Sequence, residues 1–564
     1  MNGKLVESDS EIADKLNSFF SSVFTRDEID CDLNLQCVKE GIVKLEDIEI
    51  SPSAVKKKLD KLKPFSAPGP DGLSPYLLKE LSNELSLPLS IVFQKSLSEN
   101  SVPTDWKVAN ITPIFKKGSK FECGNYRPVS LTSVICRVME GVIRDSIVDH
   151  LSSNDLLLPS QHGFVRKRSC LTNLLEYFEK ITALVDQGEC VDILYLDFSK
   201  AFDKVSHIKL SALLNAHGIR GKIKDWIDTW LSERRQRVVL NGNSSEWLPV
   251  TSGVPQGSVL GPTLFVIFIN LLDTYLSDYP VIVSKFADDS KVGMVVNDEA
   301  DAVILQKVVN LLCTWSDDFS MEFNAKKCKV MHLGRKNITS TYTMNGYAPA
   351  GTVLQQTEEE KDVGVMISNS LKPAAQCRAA ARKAHQLVGQ AARAFSYRDK
   401  NNWIRIYKTY IRPHLEYAVQ VWSPWHQKDI DALEDIQKRV LRMTSGLSST
   451  LYHEQLKELG MMSLFERRKR GDMIQVWKIL HNHDDVDETI WFTRKRSDGV
   501  RTRLADCPFN LDLNTYNREI RQNFFSVRTV NVWNSLPDHI KEAKTLLAFK
   551  SLYDRHWTVQ SEQT

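Results

Sequence analysis

The chain has 564 residues, 42% of them hydrophobic, and a formal net charge of only +3. That length and apolar content suit two to four domains with ordinary cores and exclude wholesale disorder. The small net charge leaves any nucleic-acid affinity to local basic surfaces rather than to a global field. Ten scattered cysteines show no CxxC pair and no zinc-ligand spacing with the histidines, so reduced intracellular thiols are expected. The first ten residues lack the apolar core of a signal peptide, and the longest uncharged apolar run, residues 258–272, is too short to span a bilayer. A soluble chain without a membrane partner is expected.

In chain order, Ile12, Leu16, Phe19, Phe20 and Val23 recur at helical spacing, and a second amphipathic helix is predicted after Ser51-Pro52-Ser53. Prolines and glycines forbid regular structure over residues 61–72. A strand follows Trp106 and ends in Lys116-Lys117-Gly118; the returning segment carries Arg127, which gathers three cations at one hairpin end. Such a cluster suits a triphosphate, since Arg offers a planar donor fork and Lys a point charge, or it is a solvated basic turn. A second basic loop, Gln161-His162-Gly163-Phe164-Val165-Arg166-Lys167-Arg168, precedes a helix predicted from Thr172 to Gln187, and Arg166 and Lys167 suit backbone phosphate contact.

Apolar residues dominate both parities of residues 191–196, as in a strand buried on both faces, and Asp197 stands at its end. Burying that carboxylate unpaired would cost several kcal/mol, so a cation or hydrogen-bond cluster must meet it. Ser206 suits the cap of a helix that Gly218 ends, with Asp203 and His207 read as fixing its start. Asn241-Gly242 signals a turn between strands. In residues 252–262, glycines surround Gln256 and allow close backbone approach by a ligand, and Pro262 opens a buried helix running to Leu272. Strand formers then flank Phe286-Ala287-Asp288-Asp289-Ser290, which reads as a hairpin with acids at its tip; by itself that is either a wet turn or a site for a hard cation.

Taken together, DxxxAFD at 197–203, GxPQGS at 253–258 and FADDSK at 286–291 resemble the palm of reverse transcriptases. The stretches NYRPVSL at 125–131, QHGFVRKRS at 161–169 and AFDKVSH at 201–207 are similar to the non-LTR branch, the LINE-like elements of jockey and CR1 type; segments 410–424, 433–443 and 524–537 look like their thumb and tail. The resemblance implies an α+β right-hand polymerase with fingers, a palm on an antiparallel sheet, a helical thumb and a mostly helical C-terminal region. It divides the chain into a helical linker region at 1–60, fingers and palm at 61–368, thumb at 369–446 and C-terminal region at 447–564.

The activity implied is RNA-directed DNA synthesis, with an RNA template, a DNA primer and deoxynucleoside triphosphates as partners. In that chemistry a 3′-hydroxyl attacks an α-phosphate in line, and two metals about 3.5–4 Å apart steady the attacking and leaving oxygens. Asp197 and Asp288 are the expected bridging ligands and Asp289 the less direct one. Oxygen-only donors suit two Mg²⁺ ions, which Mn²⁺ could replace. Lys116 or Lys117, with Arg127, would hold the β- and γ-phosphates, Gln256 and Gly257 would line the nucleotide pocket, and Lys327 matches the family's candidate proton donor to pyrophosphate, or belongs to a solvated basic face. Phe202 occupies the gate beneath the incoming sugar, where a bulky ring clashes with a 2′-hydroxyl, or it is a core residue. After a primer-grip hairpin near residues 361–365, Arg378, Arg382, Lys383, Arg393, Arg405 and Lys408 suit a thumb that tracks template and primer.

Two departures from the family pattern stand out. An apurinic-endonuclease-like domain usually precedes the polymerase, whereas this sequence opens on what resembles the linker, so target nicking is not assigned to it. The family's Asn-Asp-Leu after the buried helix reads Asn270-Leu271-Leu272-Asp273. A silent RNA-binding remnant is the competing reading; an RNA-synthesising enzyme is argued against by Phe202 and by Ala287 where such enzymes carry glycine. Copying would place the protein in the nucleus, and basic residues at 494–503 suit RNA contact or an import signal.

Overall fold

The computed structural model describes residues 6–25, 38–344, 351–495 and 507–563. Strands β1 (Val108–Phe115) and β2 (Tyr126–Leu131) form an antiparallel hairpin in which Ile114 faces Arg127. Strand β3 (Val191–Leu196) lies in a different sheet, but β4 (Arg234–Leu240) returns to run parallel to β1 and is flanked by β5 (Asn243–Ser244) and β6 (Leu248–Val250). Asn241 and Gly242, both at positive φ, close the β4–β5 turn in the conformation that favours this dipeptide. Helix Asp9–Ser21 packs across this sheet through Ala13, Leu16 and Phe20.

The second sheet has the order β12-β9-β3-β8-β7, formed by β7 (Ile282–Phe286), β8 (Asp289–Val295), β9 (Lys329–Leu333) and, past the short pair β10 (Thr343–Met344) and β11 (Thr352–Val353), β12 (Gln355–Gln356). A separate hairpin, β13 (Glu359–Asp362) and β14 (Val365–Ser368), follows. All pairings in the five-stranded sheet are antiparallel except β12 on β9.

Because successive side chains of a strand point to opposite faces, β3 feeds two cores. Leu194 and Leu196 join a core with helices Val134–Ser153, His207–Ala216, Gly261–Asn270 and Glu299–Phe319. Val191 and Ile193 join the other, which holds helix Cys170–Gln187, the β13–β14 hairpin, the basic helix Ala374–Ala394, helices Gln427–Arg442 and Leu464–Leu480, and residues as far as Tyr553. The sheet is thus covered on both sides, and its β3 and β8 ends next to the β7–β8 turn remain open as a platform. The architecture is α+β, antiparallel-rich and helical towards the C-terminus, as the resemblance implies. Among the described residues no helix is long and apolar enough to cross a membrane.

Helix boundaries largely follow the capping signals. Ser206 accepts from the Lys209 amide to start His207–Ala216, and Gly218 follows it at positive φ. The apolar helix opened by Pro262 stops at Asn270 rather than Leu272, and a tighter 3₁₀ segment, Leu271–Leu276, continues the chain. The cause is Asn270: fully buried, it donates to the Leu156 carbonyl and accepts from the Leu158 amide, tying the helix end to a neighbouring loop.

Candidate active site

The pairing Leu196↔Ser290 is the last of the β3–β8 ladder, and one further step in that register sets Asp197 opposite Asp289. The β7–β8 hairpin closes through Ala287 at positive φ and Asp288. Three carboxylates therefore meet at one end of the sheet. Their mutual charge is felt: desolvation first, and then Asp288, Asp362 and Asp197, push Asp289 up to about 6, while desolvation and Asp197 raise Asp288 against the pull of Arg127 and Lys116.

One cation already answers this charge. Residues 322–328 run back along the Asp197 segment, with Ser199 donating its amide to Glu322, Asn324 donating to the Asp197 carbonyl, and Phe323 stacked on Phe198 at 4.5 Å. That zipper, with an aromatic stack worth about 1 kcal/mol, delivers Lys327 Nζ to 3.6 Å from Asp197 Oδ1. Oxygen-only donors that repel each other and attract an ammonium group suit a hard divalent cation. Among the described residues, no three carboxylate, imidazole or thiol groups are drawn together into a ready-made cage.

A raised carboxyl pKa has a testable consequence. With its folded-state value near 6 and its unfolded value near 3.9, Asp289 binds more protons folded than unfolded between those limits, so stability falls as pH rises through them. In chelator-treated buffer the melting temperature should fall between about pH 4 and 6, and Asp289→Asn should flatten that slope; an unchanged slope would show that the Asp289 carboxyl is not raised in the folded protein.

The hairpin is held from behind by residues read above as a phosphate loop. Residues 160–163 run parallel to β7: Lys285 donates its amide to the Ser160 carbonyl and His162 donates to the Lys285 carbonyl. Gln161 Oε1 accepts from both the Gly163 and the Ala287 amides. The chain passes so closely that a Cβ on Gly163 would sit 2.3 Å from the Ala287 nitrogen. Fully buried Lys285 pairs with Asp273 at 2.6 Å and donates to the carbonyls of Ile269 and Asn270. The altered Asn270-Leu271-Leu272-Asp273 segment is therefore support for the β7–β8 turn. Sequence reasoning missed Gln161, Gly163 and Lys285; the only signal was that QHG is polar and glycine-containing just before a helix.

Beside the acids lies the pocket of Phe202. Val254 donates to the Phe202 carbonyl and Gly253 to the Val205 carbonyl, while Ser130 of β2 donates to Gln256. A Cβ would meet the Asp203 and Phe202 carbonyls at 2.7 Å from Gly253 and the Ser130 carbonyl at 2.3 Å from Gly257, both glycines being at positive φ. These glycines admit close approach by the protein's own backbone. Phe202 stacks on Phe265 at 4.3 Å and meets Phe164 edge-on.

Asp203 does not start the following helix, which Ser206 caps; it accepts from Gln256 Nε2 at 2.8 Å. Burial lifts the Asp203 pKa, against the opposing effects of Gln256, Lys200, Lys116 and Arg127. His207 contacts the Gly253 carbonyl at 2.8 Å and so fixes the Gln256 loop. Lys116 lies in the field of Arg127, Lys200, Asp203 and Asp288, and desolvation followed by the first two cations lowers its pKa. Lys117 is exposed on the same hairpin end. Lys200 is a further cation of this group that the sequence reading did not single out.

The remaining basic residues divide into two sets. Arg166 lines a cleft of about 860 Å³ with Lys57, Lys61, Lys63, Arg137 and Arg144, and Phe164 on its wall reaches the Phe202 ring. Lys167 donates instead to the Asn482 carbonyl. On helix Ala374–Ala394, Arg378, Arg382, Lys383 and Arg393 are exposed, as is Arg405 beyond it; Lys408 is half-buried, and Arg378 pairs with Glu359. Arg494 is committed internally to Glu488 and the Leu480 carbonyl, while Arg496, Arg501 and Arg503 lie outside the described residues.

Residues 114–367 match the reverse transcriptase (RNA-dependent DNA polymerase) family model. The chain is 27% identical over 411 residues to the RNA-directed DNA polymerase from mobile element jockey of Drosophila funebris, covering 70% of this chain and 43% of that protein. It is 26% identical over 428 residues to the probable RNA-directed DNA polymerase from transposon X-element of Drosophila melanogaster, covering 74% and 46%. With the Pol polyprotein of retrotransposable element R2 from Popillia japonica it shares 28% identity over 273 residues, 46% of this chain and 36% of that one. The matches to the jockey and X-element polymerases thus span less than half the length of those relatives. Residues 114–367 are a reverse transcriptase domain, and the chain is a homologue of the RNA-directed DNA polymerases of non-LTR retrotransposons.

Proposed function

We propose that the protein copies RNA into DNA, extending a DNA primer on an RNA template with deoxynucleoside triphosphates, in the service of a non-LTR mobile element. The observation that carries this reading is the convergence of Asp197, Asp288 and Asp289 at one end of the palm sheet beside Lys327, Lys116 and Arg127. Asp197 and Asp288, with Asp289 beside them, would hold two Mg²⁺ ions. When bound, such ions steady the attacking and leaving oxygens of the nucleotidyl transfer.

The chain's own residues account for the rest. Lys116 and Arg127 meet the β- and γ-phosphates, the guanidinium as a two-pronged donor. Lys327 is placed to give a proton to departing pyrophosphate. The cation-lined cleft containing Arg166 suits the template strand, since phosphates bind such surfaces without regard to sequence. The exposed arginines and lysines of helix Ala374–Ala394 suit the duplex behind it.

Primer extension on an RNA template with Mg²⁺ tests the reading, with dNTPs compared against NTPs. Extension confined to dNTPs supports it; RNA binding without extension would leave only a binding protein. Phe202 gives a second test. Its ring is pinned by Phe265 and Phe164 and cannot swing away, so Phe202→Ala should raise ribonucleotide incorporation by about two orders of magnitude, as loss of a steric clash of about 3 kcal/mol implies. Competition between dCTP and CTP in single-nucleotide extension measures it, and unchanged discrimination would remove Phe202 from the gate.

A further inference from the structure

Behind the catalytic carboxylates lies a second row of side chains. Tyr195 of β3 pairs with Lys291 of β8 on one side and Lys329 of β9 on the other. Strand alternation puts this row on the same face as Asp197 and Asp289, one repeat further into the sheet. The acidic strand β13 lies over it. Lys291, buried, binds Asp362 at 2.6 Å and Asn173 Oδ1 at 3.1 Å, with the Tyr177 ring 4.7 Å away. Lys329 binds Glu360 at 2.6 Å.

Glu360 and Asp362 are two residues apart and share a face of β13, so both anchors hold at once in only one register. A slip by one residue would aim Lys361 at the lysine row, like charge against like. The hairpin turn beyond these anchors is fixed too: Tyr417 donates its hydroxyl to the Val363 carbonyl, and its ring lies 3.0 Å from where a Cβ on Gly364 would be. A buried ion pair is a weak source of stability, because desolvation offsets attraction, but it discriminates sharply between registers.

We infer that Lys291 and Lys329 are positioning residues that set the β13–β14 hairpin, and through it the primer terminus, at a fixed offset from the catalytic carboxylates. The inference rests on the polymerase reading above and on the primer-grip role that the resemblance implies for residues 361–365. It extends the site inward by one row of the sheet and gives the lysine that follows the acidic tip a role distinct from charge balance.

Replacing the buried pair by apolar side chains, Lys291→Met with Asp362→Leu, avoids stranding one buried charge. Lys329→Met removes the more exposed anchor and serves if the double variant fails to fold. With melting unchanged, the KM for primer should rise about tenfold in the double variant and less in Lys329→Met, while the KM for dNTP stays within about twofold. A wild-type primer KM in folded variants overturns the inference, as does a uniform loss of all parameters in step with melting. Absence of extension by the wild-type protein would instead overturn the polymerase reading, and this inference with it.

Discussion

Asp288→Asn should abolish primer extension, lowering kcat by about 10³-fold, the equivalent of about 4 kcal/mol, while template-primer affinity stays near the wild-type value. The substitution is nearly isosteric, and asparagine is well tolerated in tight turns, so the β7–β8 closure should survive. What disappears is one of the two acids expected to bridge the metal ions. Loss of that charge also relieves the repulsion that raises Asp289, so the variant should melt no lower than wild type in metal-free buffer above about pH 6. Chemistry lost and stability kept is the combination that separates a ligand from a structural acid. Single-turnover extension with a preformed template-primer complex, alongside melting curves, measures both. Retention of a tenth or more of the wild-type rate would remove Asp288 from the metal site.

The carboxylates were legible because their setting is local. Asp197 ends a strand that is mostly apolar on both faces, and Asp288-Asp289 interrupt a hairpin, so strand periodicity alone places acids at strand ends. That the three share one site needs the long-range register of β3 with β8, which the ordered motif set implied by resemblance and pairing supplied. Less legible were residues whose role depends on what lies behind them. Gln161 and Gly163 sit in a loop whose basic neighbours suggested phosphate contact, yet the Ser160 carbonyl, the His162 amide and the Gln161 side-chain oxygen of that loop hold the β7–β8 hairpin.

Asp203 misled for a similar reason. Spacing to His207 suggested a helix start, whereas a buried carboxyl found its partner in Gln256, 53 residues away. The glycines of the 253–258 loop were correctly read as demanding close approach, but sequence cannot say by what. Lys285 and Lys291 show the same limit: nothing in the strand pattern marks them, while each is buried on a carboxylate from outside its own strand. Tertiary partners decide such residues, and periodicity carries no information about them.

Gly163→Ala should reduce extension by about 10²-fold and lower stability by about 1–3 kcal/mol. The added Cβ would stand 2.3 Å from the Ala287 nitrogen, 2.8 Å from the Phe286 carbonyl carbon and 3.1 Å from the Ala287 Cα. All three are backbone atoms of the β7–β8 turn, so no side chain can swing aside. Gly163 is not at positive φ, and backbone conformation therefore adds no strain of its own. Relief requires either the turn or the 160–163 segment to retreat by about 1 Å to reach ordinary contact. A retreat of the turn displaces Asp288, the next residue after Ala287. A retreat of the segment separates Gln161 Oε1 from one of its two amide donors and leaves the Ala287 amide unpaired. Both routes move the acids relative to Asp197, whose position is fixed independently by Asn324 and the Phe198–Phe323 stack. The same chemical change at Gly389, where the nearest atom to a new Cβ is Arg393 Nη1 at 3.7 Å, should leave the rate within about twofold and stabilise its helix by about 0.5–1 kcal/mol. Measured kcat, primer KM and melting for the two variants decide the matter: if Gly163→Ala extends primer as fast as Gly389→Ala, the 160–163 segment does not set the position of the β7–β8 turn.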